Sequence, residues 1–161
     1  MAYLGIPQVK GFTQRDRDET ITASWTFTRD INGTTTSARW ADLAEIYEPD
    51  NNYPAGTLVQ FGGLNEITVA KKQVNGVIST RPGFKMNSAA RGLYMVLFGR
   101  SPVLVVGKVS KFDKLVLSKV PGKARRRTLL DRILLKKVIG ISLEDKDEKS
   151  SKIEAFLKAV F

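Results

Sequence analysis

Short apolar runs, each closed by a Gly, Pro, Asn or Asp turn and recurring roughly every eight to twelve residues, dominate the chain from residue 57 onward and direct it to an all-β fold. The runs occupy residues 57–61, 66–69, 74–80, 93–98 and 102–109. Gly62-Gly63 permits a reversal after the first, and Arg81-Pro82-Gly83 ends the third. The runs at 93–98 and 102–109 are apolar enough to lie centrally in a sheet. This rhythm predicts a mainly β protein, a small barrel or sandwich of short strands, and not a βαβ fold.

A weak internal duplication overlies the rhythm. Phe112-Asp113-Lys114-Leu115-Val116-Leu117 echoes Ala55-Gly56-Thr57-Leu58-Val59-Gln60, and Val138-Ile139-Gly140-Ile141-Ser142 echoes Val74-Asn75-Gly76-Val77-Ile78-Ser79. Within the second unit, Leu129, Leu130, Ile133 and Leu134 recur at helical spacing, with Thr128 as a cap and Asp131 in the first turn. One short amphipathic helix is expected there. Ile153, Ala155, Leu157, Ala159 and Phe161 alternate, which predicts a strand whose terminal Phe161 is covered by the core or by a subunit.

Ahead of this body, residues 1–19 read as an extended arm. Residues 20–28 alternate strictly, with Ile21, Ala23, Trp25 and Phe27 on one face, and Asp30-Ile31-Asn32-Gly33 supplies a tight turn into a second strand at 34–39. A two-stranded hairpin is marginal alone, so Trp25 and Phe27 need the body or another subunit to pack on. The chain therefore divides into residues 1–39, an arm and hairpin for docking or oligomerisation, and residues 40–161, a compact β-rich body. Trp40 opens the body on a turn of helix in which Asp42 and Glu45 serve as caps.

The 161 residues include neither Cys nor His, which closes thiolate, disulfide and imidazole chemistry. No cofactor motif is present, and the acidic tract 144–148 lacks the Gly and final Glu of a calcium loop. No catalytic or metal-ligating residue is assigned. The net charge of +10 is concentrated between Lys108 and Lys137, where eleven Lys and Arg face two acids, Asp113 and Asp131. Its densest run, Lys123, Arg125, Arg126 and Arg127, is expected as a basic loop that is solvated or meets an acidic neighbour. No aromatic stacking pattern accompanies it, which argues against nucleic acid. No apolar run approaches 18 residues, and the opening MAYLGIPQVKGF lacks an apolar region followed by a small-residue cleavage site, so neither a membrane span nor a signal peptide is expected.

The succession WTFTRDINGT, ARWADLAEIYEPDNNYPAGTLVQFGG, ITVAKK, VNGVISTRPGFKMN, SPVLVVGKVSKFDKLVLSKVPGKA and IGISLEDKD resembles a module of tailed-bacteriophage virion proteins. It is similar to the C-terminal part of tail-fibre proteins of T4-like phages, and more distantly to the autoproteolytic intramolecular-chaperone domains that end some phage fibres. The resemblance spans about residues 25–147; its most specific part is Trp40-Ala41-Asp42-Leu43-Ala44-Glu45 followed by Tyr53-Pro54-Ala55-Gly56-Thr57-Leu58-Val59. It implies a β-rich virion component, made in the host cytoplasm, that forms a trimer or other homo-oligomer and contacts other virion proteins in assembly or attachment. Trp25, Phe27, Trp40 and Phe161 are the interface candidates. The chaperone likeness also implies an alternative, self-cleavage, for which Ser37 or Thr36 with Asp42, Glu45 or Glu48 would supply nucleophile and proton carrier. Nucleic-acid binding through Arg125, Arg126 and Arg127 is a second alternative.

Overall fold

The computed structural model describes residues 41–147 and 152–158. Trp25, Phe27, Trp40, Phe161, the arm and hairpin, and the boundary between residues 39 and 40 lie outside them. The described residues form strands β1 (Asp42–Tyr47), β2 (Leu58–Phe61), β3 (Ile67–Val69), β4 (Gly76–Ser79), β5 (Phe84–Met86), β6 (Leu93–Leu104), β7 (Lys114–Leu117) and β8 (Ala124–Arg126). A short helix α1 (Leu129–Ile133) and strands β9 (Gly140–Ser142) and β10 (Lys152–Lys158) follow. The strands join in one curled sheet, β3-β2-β4-β6-β10-β9-β7-β8, with β1 on β6 and β5 on β1. The fold is mainly β, as the turn rhythm requires.

The duplication is present, and the backbone hydrogen bonds define it residue by residue. In the first unit Gly56 N–H donates to Ile78 O and Ile78 N–H to Thr57 O; in the second Phe112 N–H donates to Ser142 O and Ser142 N–H to Asp113 O. Val59 pairs with Gly76 and Val69, while Leu115 pairs with Gly140 and Arg126. Even the isolated parallel bridges correspond, Pro49 to Ile67 and Val105 to Ala124. Each unit thus has five corresponding strands in the lateral order first, fifth, fourth, second, third, with β5 added outside β1 in unit one, and the bridge from just beyond the first strand to the third curls it into a partial barrel. Strand β6 serves both units. Its N-terminal half pairs with β1 as the fifth strand of unit one, and its C-terminal half pairs with β10 as the first strand of unit two.

The observed register corrects the sequence alignment by one residue. Phe112 corresponds to Gly56, not to Ala55, and Leu115 to Val59, not to Leu58. Side-chain type is a poor guide here, because a shift of one residue exchanges the two faces of a strand. Phe112, with φ of 70°, keeps the left-handed turn conformation that Gly56 adopts at 92°.

Three further expectations change. Residues 42–47 form a strand and not a helical turn, because Ala44 and Ile46 are needed on the buried face while β6 supplies an open edge. The two runs at 93–98 and 102–109 contribute to one twelve-residue strand. Pro102 does not break it, since the edge on which Arg100 donates to Ala41 O and Leu104 to Gly56 O has no acceptor to serve at the position between them. A bulge against Leu43 and Ala44 lets β6 bend from one unit into the other. The basic run also lies in strand: Ala124–Arg126 is β8, paired to β7. By contrast β10 matches its expectation, with Ile153, Ala155 and Leu157 buried in alternation.

Two buried clusters form the core. Val59, Ile67, Ile78 and Met95 fill unit one, backed by Tyr47, Tyr53, Leu93 and Leu97. Their counterparts Leu115, Ala124, Ala155, Val103, Val109, Ile153 and Leu157 lie in the larger cluster, which also takes in Ala44, Leu58, Val77 and Val96 from the opposite face of unit one. The larger cluster therefore joins the two units.

Candidate interaction surface

Unit two differs from unit one by an insertion. Between the third and fourth strands, unit one needs only residues 70–75, whereas unit two runs from 127 to 139 and builds α1. Helix formation in five residues is unfavourable in isolation, so local hydrogen bonds must hold it. Thr128 caps it: its hydroxyl accepts from Asp131 N–H, and the Asp131 carboxylate accepts from Thr128 N–H at 2.7 Å. The Thr128 cap and the first-turn Asp131 are those expected from the sequence, and the bond back from the carboxylate to the Thr128 N–H completes a capping box. Arg125, reaching from β8, clamps the same carboxylate with two hydrogen bonds of 2.6 Å, and Lys136 Nζ stands 3.5 Å away. Asp131 is buried, and the Arg125 guanidinium together with the Thr128 bonds holds its carboxyl far below the usual carboxylate range despite that burial.

This bracing presents an apolar surface outward. Leu129, Leu130, Ile133, Leu134 and Leu135 are between 60% and 84% exposed, while the only buried residue of α1 is Asp131. The short amphipathic helix expected from the spacing of Leu129, Leu130, Ile133 and Leu134 is present, but its apolar face is the exposed one. The helix instead turns its carboxylate inward, since Arg125 needs a partner and the core of unit two is already filled by its strands.

The basic residues sort differently from their sequence grouping. Arg125 is committed to Asp131, Arg126 is exposed with its guanidinium 4.0 Å from Asp113, and the Nε of Arg127 is buried with no hydrogen-bond partner among the described residues. Lys123 closes the β7–β8 turn, where its backbone pairs with Ser118 and Val120. A separate basic cleft of about 550 Å³ collects Lys71, Lys72, Lys119, Lys136 and Lys137 around Val74, Leu117 and Ile139. Sequence reading missed it because its lysines come from three separated segments.

The carboxylates of β1 do structural work. Asp42 is buried and accepts from Ser79 Oγ at 3.0 Å and Gly83 N–H at 2.8 Å, fastening the turn after β4. Ser37 and Thr36 lie outside the described residues. Glu45 accepts from Tyr47 OH at 2.7 Å, and Tyr47 stacks edge-on against Phe61 with centroids 5.2 Å apart. Glu66 takes the Glu48 N–H at 2.7 Å. Burial first, then Glu45 and Glu66, push the Tyr47 phenol up to about 12. In the acidic tract, Asp145 accepts from Lys111 N–H at 2.9 Å and the buried Lys146 donates to Gly107 O at 2.9 Å. Among the described residues no helix is long and apolar enough to cross a membrane.

A duplicated β scaffold with a braced apolar projection defines the class: a mainly β protein of two tandem partial barrels. The solved structure of the pre-mature bacteriophage phi29 gene product 12 is similar, with a TM-score of 0.59 over 81% of this chain at 15% identity. The match covers 23% of that phage chain. At this identity the likeness is one of fold. No family model and no curated protein matches the sequence.

Proposed function

We propose that the chain is a structural component of a phage virion, acting in assembly or attachment through protein–protein contacts. The observation that carries this reading is the cluster of five exposed apolar side chains on a capped and ion-paired turn. Exposed apolar patches of this kind serve as contact surfaces, and the Arg125–Asp131 brace fixes the patch before a partner arrives, which lowers the entropic cost of binding. The shared fold with part of a phage protein supports a virion setting. The sequence resemblance to T4-like tail-fibre modules favours a fibre; collar, tail and capsid decoration are the other positions consistent with it. The chain would be a homo-oligomer, made in the host cytoplasm and carried in the virion, with neither membrane nor nucleic acid as a partner and without catalysis.

Mass spectrometry and immunogold labelling of purified particles test the reading. The expected result is the intact chain at fixed stoichiometry in the particle. A chain abundant in infected cells yet absent from particles would overturn it, and a chain cut near Ser37 would replace it with self-cleavage.

A further inference from the structure

The opening segment of unit one is acidic, and the Lys and Arg of that unit come only after it, at positions 71, 72, 81, 85 and 91. From Ala41 to Ala70 there are five acids, Asp42, Glu45, Glu48, Asp50 and Glu66, and no Lys or Arg. Apart from the buried Asp42, these surround a partly exposed aromatic and aliphatic surface: Phe61 edge-on to Tyr47, with Leu64 at 93% exposure on the adjoining turn. The backbone ties the patch together, since Gly62 N–H donates to Glu66 O and Glu66 N–H to Glu48 O. The insertion in unit two has the opposite sign. Its exposed Leu and Ile side chains lie among Arg126, Arg132, Lys136 and Lys137.

The geometry points to head-to-tail self-association, in which the apolar knob of α1 on one copy seats on the acid-rimmed Tyr47–Phe61–Leu64 patch of a second copy. Two observations select a second copy of this chain as the occupant. The knob has a basic rim and the patch an acidic one, so oppositely charged rims would surround a shared apolar centre, as in protein interfaces generally. Both surfaces are also exposed on the same chain, in different units, so each copy carries one of each. Such a contact is heterologous: it closes into a ring, a trimer included, or continues as a filament. The inference deepens the assembly role proposed above by naming the partner and the two surfaces.

Sedimentation velocity on the full chain tests it, using a knob variant, Ile133→Asp with Leu134→Asp, and a patch variant, Glu48→Lys with Leu64→Lys. Circular dichroism and thermal midpoints confirm that each variant folds. The unmodified chain should associate with rising concentration, less so at about 1 M than at about 0.1 M salt, because screening shortens the electrostatic reach from ~10 Å to ~3 Å. Each variant alone should associate more weakly by over about tenfold, the effect of losing central apolar anchors. Mixed in equal amounts, the variants retain one good knob and one good patch and should form a species of two chains that grows no further. A monomeric unmodified chain, association untouched by either variant, or a mixture that fails to recover the two-chain species would each overturn the inference. If the chain is nevertheless found in virions, the structural role stands and the contact is with another protein.

Discussion

Gly76 and Gly140 occupy the same place in successive copies of one five-stranded unit, and each is pressed against the strand that completes its unit. A Cβ on Gly76 would stand 2.7 Å from the Val96 carbonyl oxygen, and one on Gly140 would overlap the carbonyl oxygen of Phe156, the counterpart of Val96. The duplication thus preserves a close backbone approach as well as an order of strands.

Alanine at either glycine should therefore destabilise the fold, by about 2 kcal/mol or more, the range of overpacked core sites. Urea melts of Gly76→Ala and Gly140→Ala would measure it. Similar losses are expected, Gly76→Ala being partly relieved where the flexible Met95 side chain can move. A neutral result at both sites would contradict the equivalence.

Arg125 and Arg126 are neighbours in sequence with unlike roles. Arg125→Ala removes the bidentate partner of a buried carboxylate, leaving it to Thr128 and Lys136, and should cost about 2–3 kcal/mol. Arg126→Ala, on an exposed side chain, should stay within about 0.5 kcal/mol. Chemical denaturation of the two variants distinguishes a structural arginine from a surface one.

The Asp131 carboxyl also sets a pH dependence. Its folded pKa is depressed, so its stabilisation is fully present above the unfolded value of 3.8 and is lost as pH falls from there toward the folded value. Stability should hold through mildly acidic pH and decline below about pH 4, and Asp131→Asn should flatten that part of the decline. Melts between pH 7 and pH 2 would show the difference.

Tyr47 gives a signal at the other end of the scale. Tyr47 should ionise late, near 12, in a spectrophotometric titration of the folded chain. Because its pKa is raised from 10.0, the associated stabilisation is complete below that value and disappears as pH climbs toward 12. Glu45→Gln should bring the late transition earlier by removing a charge beside the phenol.

The all-β character, the positions of most strands, the duplication, the cap at Thr128 and the alternation of β10 were all legible in the order of residues. These follow from local chemistry: turn residues, β-branching, period-two burial and a side chain within reach of its own backbone. Tertiary structure decided the rest. Whether residues 42–47 became helix or strand depended on an open edge of β6, and whether Pro102 ended a strand depended on which edge lacked a partner. The one-residue register between the units was set by ladder hydrogen bonds that residue type does not encode. Most of all, the LLDRILL segment was legible as a helix but not as a projection. Its periodicity says which side chains share a face. Only the Arg125 that draws Asp131 inward, together with a core already filled by strands, decided that the shared apolar face would point to the outside.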